Sequence, residues 1–125
     1  MAAGLVLAPG CGGESTEESP TVERARTVVR HMADGTYAKV LQMFAPTLID
    51  VLSEKQLKED WENFVQLKGA YRAQGEAAEV IERGELKVVD IELEMAKDTG
   101  FFRVSFDADG KIAGLFFLAT DIPVP

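Results

Sequence analysis

Side chains able to do chemistry are sparse in this chain: among 125 residues there is one histidine, His31, and one cysteine, Cys11. A structural zinc site draws on four Cys or His ligands at close spacing, and a disulfide needs two cysteines. Neither can form within one copy. No G-x-S-x-G nucleophile elbow and no glycine-rich phosphate loop occurs, so the sequence signatures of a serine hydrolase and of a nucleotide site are missing. Asp107-Ala108-Asp109-Gly110 opens like a calcium loop but lacks the later ligands, and reads as a turn. No metal and no cofactor is expected. His31 sits near a helix C-terminus, where the helix dipole favours a surface histidine. What remains is aromatic. Tyr37, Trp61, Tyr71, Phe102 and Phe117 are placed to line a cleft between helices and sheet, an apolar surface with a few polar tips of the kind that takes small ligands. They are the expected ligand-binding residues, with core packing as the competing reading.

Cys11 stands in a distinctive setting. Met1 to Gly10 is apolar and small, Gly12-Gly13 follows the cysteine, and an acidic, serine-rich stretch runs from Glu14 to Ser19. This resembles the end of a bacterial lipoprotein signal, in which the cysteine takes the lipid and a polar tether follows. Ala8 occupies the position three before the cysteine where a larger apolar residue is usual, and no basic segment precedes it. Secretory signals ordinarily begin with such a segment. The alternative is an apolar tail with a free thiol. On the first reading the protein is extracytoplasmic, lipid-anchored through Cys11 to the bacterial cell membrane, and touches the membrane only there.

The elements that must position the aromatics begin at Ser19. Residues 1–19 read as signal and tether, and 20–125 as a single domain, since 125 residues suffice for one hydrophobic core. With 46% hydrophobic and 27% charged residues the composition is globular. The net charge is -8, and no basic stripe is present to meet a phosphate backbone, so nucleic acid is not an expected partner.

Ser19-Pro20 marks a helix start. Val22, Ala25, Val28, Val29, Met32 and Ala33 recur at helical spacing until Asp34-Gly35. Tyr37, Val40, Leu41 and Phe44 predict a short second helix, and Leu48 to Leu52 another turn or two. Ser53-Glu54-Lys55-Gln56 is a capping-box pattern opening a helix over about 54–68, with Leu57, Trp61, Phe64 and Val65 on its apolar face. From Gly69 the period becomes two. Val89, Ile91, Leu93 and Met95 alternate with Asp90, Glu92 and Glu94, which predicts a strand with one solvated face. Strands are also expected over 70–82, 101–106 and 111–119, joined by glycine-containing turns. The last has Ile112, Phe116 and Leu118 on one side and Leu115 and Phe117 on the other. Apolar faces on both sides call for cover on both, by helices and by a second subunit, so a homodimer is expected.

The segments A-D-G-T-Y-A-K-V (33–40), L-S-E-K-Q-L-K-E-D-W (52–61), L-K-G-A-Y (67–71) and V-S-F-D-A-D-G-K-I-A-G-L (104–115) resemble, in order and spacing, the bacterial domain-of-unknown-function 3887 family. The resemblance covers roughly Val22 to Leu118. It implies an α+β fold of the nuclear-transport-factor-two-like superfamily, N-terminal helices packed in a curved four-stranded antiparallel sheet that forms a cone. Family members resemble secreted or lipoprotein modules, sometimes joined ahead of an α/β-hydrolase domain, which is not found here. Cone-shaped relatives include isomerases and dehydratases that place an Asp or His base and a Tyr donor in the cavity. By that likeness His31, Tyr37, Tyr71 and Asp90 are the acid/base candidates, although alternation points Asp90 away from the interior. The leading reading is a non-enzymatic module that binds a small apolar ligand or a partner; the alternative is an isomerase- or dehydratase-type enzyme.

Overall fold

The computed structural model describes residues 19–77 and 81–119. Four helices precede five strands: α1 Pro20–Asp34, α2 Tyr37–Leu41, α3 Pro46–Ile49, α4 Glu54–Lys68, β1 Tyr71–Ala77, β2 Ile81–Arg83, β3 Leu86–Met95, β4 Thr99–Phe106 and β5 Ile112–Leu118. The α+β order is as the sequence predicts. Cys11, the expected lipidation site, and the expected tether up to Glu18 lie outside the described residues, whereas Ser19 is described and belongs to the domain as the cap of α1.

Local chemistry sets the helix ends. The Ser19 hydroxyl accepts from the Val22 N–H at 3.2 Å and Pro20 occupies the first turn, while Gly35, at φ +77°, closes α1 by donating to Met32. Ser53 caps α4 by accepting from the Gln56 N–H at 3.1 Å. The capping box is only half built, because the Gln56 amide turns forward to donate to Asp60 at 2.9 Å. Gly69 ends α4 and opens the sheet. At φ +90° it lies so close to the 96–97 turn that a Cβ would stand 2.7 Å from the Lys97 nitrogen.

The sheet is antiparallel, ordered β1-β3-β4-β5, with β2 also paired to β3. The four-stranded expectation is thus corrected to five. The single strand expected over 70–82 is divided into β1 and β2, which share one edge of β3. Two register shifts interrupt β1, so that six steps from Tyr71 to Ala77 oppose four from Met95 to Ile91. Extra residues on one strand bend it and raise its twist. The β4–β5 pairing slips in the same way between Ser105 and Phe106, whose partners are Gly114 and Ile112. That slip changes the face of Ile112, which joins Leu115 and Phe117 on the helix side instead of Phe116 and Leu118. On the far side β5 keeps only Phe116 and Leu118.

The core lies between the helices and this face of the sheet. Val22, Val28, Val29 and Met32 of α1 and Leu57, Trp61 and Phe64 of α4 meet Val89, Ile91, Leu93, Phe102, Val104 and Ile112. β5 is one border of the sheet. At its start the segment before α3 runs alongside, with Ile112 donating to Met43 at 2.7 Å and accepting from Ala45 at 2.8 Å. Beyond Ile112, β4 is the only strand paired with β5 among the described residues.

Candidate functional site

α4 carries its buried stripe as Leu57, Trp61, Phe64 and Lys68, and this stripe brings most of the expected aromatics together. The Trp61 ring lies 5.9 Å from Tyr71, 5.5 Å from Phe117 and 6.2 Å from Phe64, and Phe117 lies 5.4 Å from both Phe64 and Phe102. These are tilted contacts at ordinary aromatic packing distance. Phe102 is fully buried, Trp61 nearly so, while Tyr71 and Phe117 are half-buried. Four of the five expected residues therefore touch one another, with Phe64 as an added member. Tyr37 stands apart, half-buried on α2 and packed against the core.

The acid/base candidates are dispersed. Tyr37 has its hydroxyl pushed above the usual tyrosine range, chiefly by burial and further by the Glu62 carboxylate. Tyr71 is pushed up by burial, an effect opposed by its Gln74 hydrogen bond and by Arg30 and Arg26. Both shifts favour the protonated phenol. His31 is half-buried, and its Nδ1 shares a 3.2 Å hydrogen bond with the Thr36 hydroxyl in the turn after α1.

Asp90 lies across the sheet from all three, on the face away from the helices. It is not solvated as alternation predicts. Arg103, directly opposite on β4, grips it with two hydrogen bonds of 2.7 and 2.8 Å, and the two side chains are only 10% and 11% exposed. A planar guanidinium on a carboxylate is a strong, directional pair. Sequence reading misses Arg103 because cross-strand register is a tertiary fact. The Asp107–Gly110 segment is a turn, its Asp107 carboxylate accepting from the N–H groups of Asp109 and Lys111 at 2.9 Å each. No group of three His, Cys, Asp or Glu is arranged for a metal among the described residues.

The surface feature beside the aromatic cluster is an open groove of about 390 Å³ between α4 and β5, walled by Asp60, Asn63, Phe64 and Leu67 on the helix and by Leu115 to Leu118 on the strand. Its apolar lining is unusually exposed at two points, Leu67 at 62% and Phe116 at 56%. Both faces of β5 contribute, since Leu115 and Phe117 point to the helices and Phe116 and Leu118 away. The groove therefore opens onto the strand's edge. Of the predicted ligand-binding residues only Phe117 lines it. The signal that could have found it is Leu67, a leucine outside the buried stripe of α4 but in phase with Asp60, Asn63 and Phe64 at helical spacing.

The fold and groove define a small helix-then-sheet domain with an open, largely apolar groove beside its border strand. The chain belongs to the family described as "Protein of unknown function (DUF3887)", whose model matches residues 25–115. No curated protein and no solved structure matches it significantly.

Proposed function

We propose that this domain is a non-catalytic binding module, held outside the bacterial cytoplasm by lipid on Cys11, that receives an apolar group in the α4–β5 groove. The observation that carries the reading is the groove itself, where Phe116 and Leu67 stay more than half exposed although five neighbouring rings, Trp61, Phe64, Tyr71, Phe102 and Phe117, pack on one another. Solvent-facing apolar side chains gathered around a concavity mark a contact site. The aromatic cluster next to it gives that concavity a fixed floor, through Phe64 and Phe117. We assign the cone architecture of the nuclear-transport-factor-two-like superfamily on the helix-then-sheet order and the bulges of β1 and β5, which favour curvature. An isomerase or dehydratase would need a buried carboxylate beside Tyr37, Tyr71 or His31. Asp90 is drawn nearly out of solvent, at 11% exposed, but it lies on the opposite face of the sheet in the grip of Arg103.

The test is a titration of the full chain with Nile red, a neutral apolar dye. Saturable fluorescence is expected, abolished by Leu67→Asp and by Phe116→Asp but retained in Ile49→Asp, a control 52% exposed outside the groove. Dye binding that ignores the two groove variants, or no binding at all, overturns the reading. Separately, Cys11→Ser should move the protein from the membrane to the soluble fraction of expressing cells.

A further inference from the structure

The groove has a second property besides apolarity. It runs along the border strand of an antiparallel sheet, and past Ile112 that border is unpaired among the described residues. An unpaired strand edge offers a row of backbone N–H and C=O groups to any extended chain laid beside it. A helix flanking such an edge, with an apolar trough between them, supplies pockets for alternate side chains of the added strand. α4 and β5 stand in that relation, and a trough of about 390 Å³ has room for two or three aliphatic side chains.

Resting on the binding-module reading, we propose that the natural occupant is an extended peptide segment of another protein, apolar at alternate positions and carrying Lys or Arg beside them, which adds to β5 as a further strand. Charge selects the flank. Among the described residues Asp60 is the sole charged one on the groove wall, where Gln56 donates to it, and the chain as a whole carries -8. A basic flank is drawn to that wall and an acidic one is repelled. The same charge opposes a second copy of this chain in the groove, because each copy would bring its own Asp60 and its own negative excess to the contact. β5 has no charged side chain between Ile112 and Leu118, so nothing on the strand blocks edge pairing.

The experiment is selection of a random decapeptide library displayed on phage against the immobilised full chain, followed by fluorescence anisotropy with the enriched peptides. Enrichment of alternating Leu, Ile, Val or Phe flanked by Lys or Arg is expected. Replacing the basic flank by Glu should weaken binding about fivefold or more, and Asp60→Asn should erase most of that preference. Methylating alternate backbone nitrogens of the peptide should abolish binding in one phase and spare it in the other, the mark of strand addition. Absence of enrichment, acidic flanks, or indifference to both methylation phases overturns the proposal. So does a stable dimer by analytical ultracentrifugation that Phe116→Asp dissociates, since a second copy then fills the edge. Nile red binding with no peptide selected would leave the groove as a small-ligand site and sink only the peptide; failure of both would sink the groove.

Discussion

Replacing Gly100 with alanine tests how firmly the groove floor is built. Gly100 is buried in β4, opposite Leu93, and its backbone is not in the left-handed region, so alanine is conformationally allowed there. The objection is steric. A Cβ would stand 2.3 Å from Cζ of Phe64 and 3.0 Å from a neighbouring ring carbon, about 1.1 Å inside ordinary contact. Phe64 is 5% exposed and held by Trp61 and Phe117, so its ring can yield only toward the groove it lines. Overpacking of this kind costs about 1–3 kcal/mol, offset by up to about 1 kcal/mol from the lower entropy of the unfolded alanine chain. The net expectation is a loss of about 1–2 kcal/mol, or roughly 5–15 °C in Tm for a domain near 100 residues. Urea unfolding followed by the fluorescence of Trp61, the single tryptophan, measures it. In a Phe64→Leu background the same substitution should cost less than about 0.5 kcal/mol, because the clashing atom is gone. Gly100→Ala should also weaken Nile red binding by pushing the ring into the groove. A stability within about 0.5 kcal/mol of the parent, or an equal cost in both backgrounds, would refute the steric account.

Asp90→Asn leaves the Arg103 guanidinium nearly buried beside a neutral amide and should destabilise by about 3 kcal/mol, whereas Asp90→Leu combined with Arg103→Met should recover most of that loss; a thermal melt of the three variants decides. Tyr37 and Tyr71 are shifted upward, so the folded state holds its phenol protons more tightly than the unfolded chain. The associated stability is fully present below pH 10 and declines as pH rises from 10 through the raised folded values. Ultraviolet titration of tyrosinate at 295 nm should accordingly show both rings ionising above pH 10, and one ionising near neutrality would revive an acid/base role. Ser53→Ala removes the cap of α4 and should cost about 1 kcal/mol without changing the native fluorescence of Trp61.

Much of this architecture can be read from local chemistry. Ser19-Pro20, Gly35, Ser53 and Gly69 punctuate the helices because caps and left-handed turns are decided within a few residues of chain. The run from Val89 to Met95 announces its buried face because a strand's side chains alternate whatever pairs with it. The aromatic cluster was likewise visible as residue types, since large rings at buried phases have to meet somewhere.

Register and edge were not visible. A bulge opposite Phe106 moves Ile112 to the helix face, and two bulges in β1 shift its register against β3; an added residue of that kind costs little locally and leaves no mark in composition. The Asp90–Arg103 grip joins residues 13 apart that only the β3–β4 register sets opposite each other. The groove depends on the same kind of fact: Leu67 and Phe116 are apolar residues like any others until the packing of α4 beside the border strand leaves them uncovered. Periodicity tells which side of an element is apolar. Only the assembled sheet decides which apolar sides are covered, because coverage is a property of neighbours and not of the segment itself.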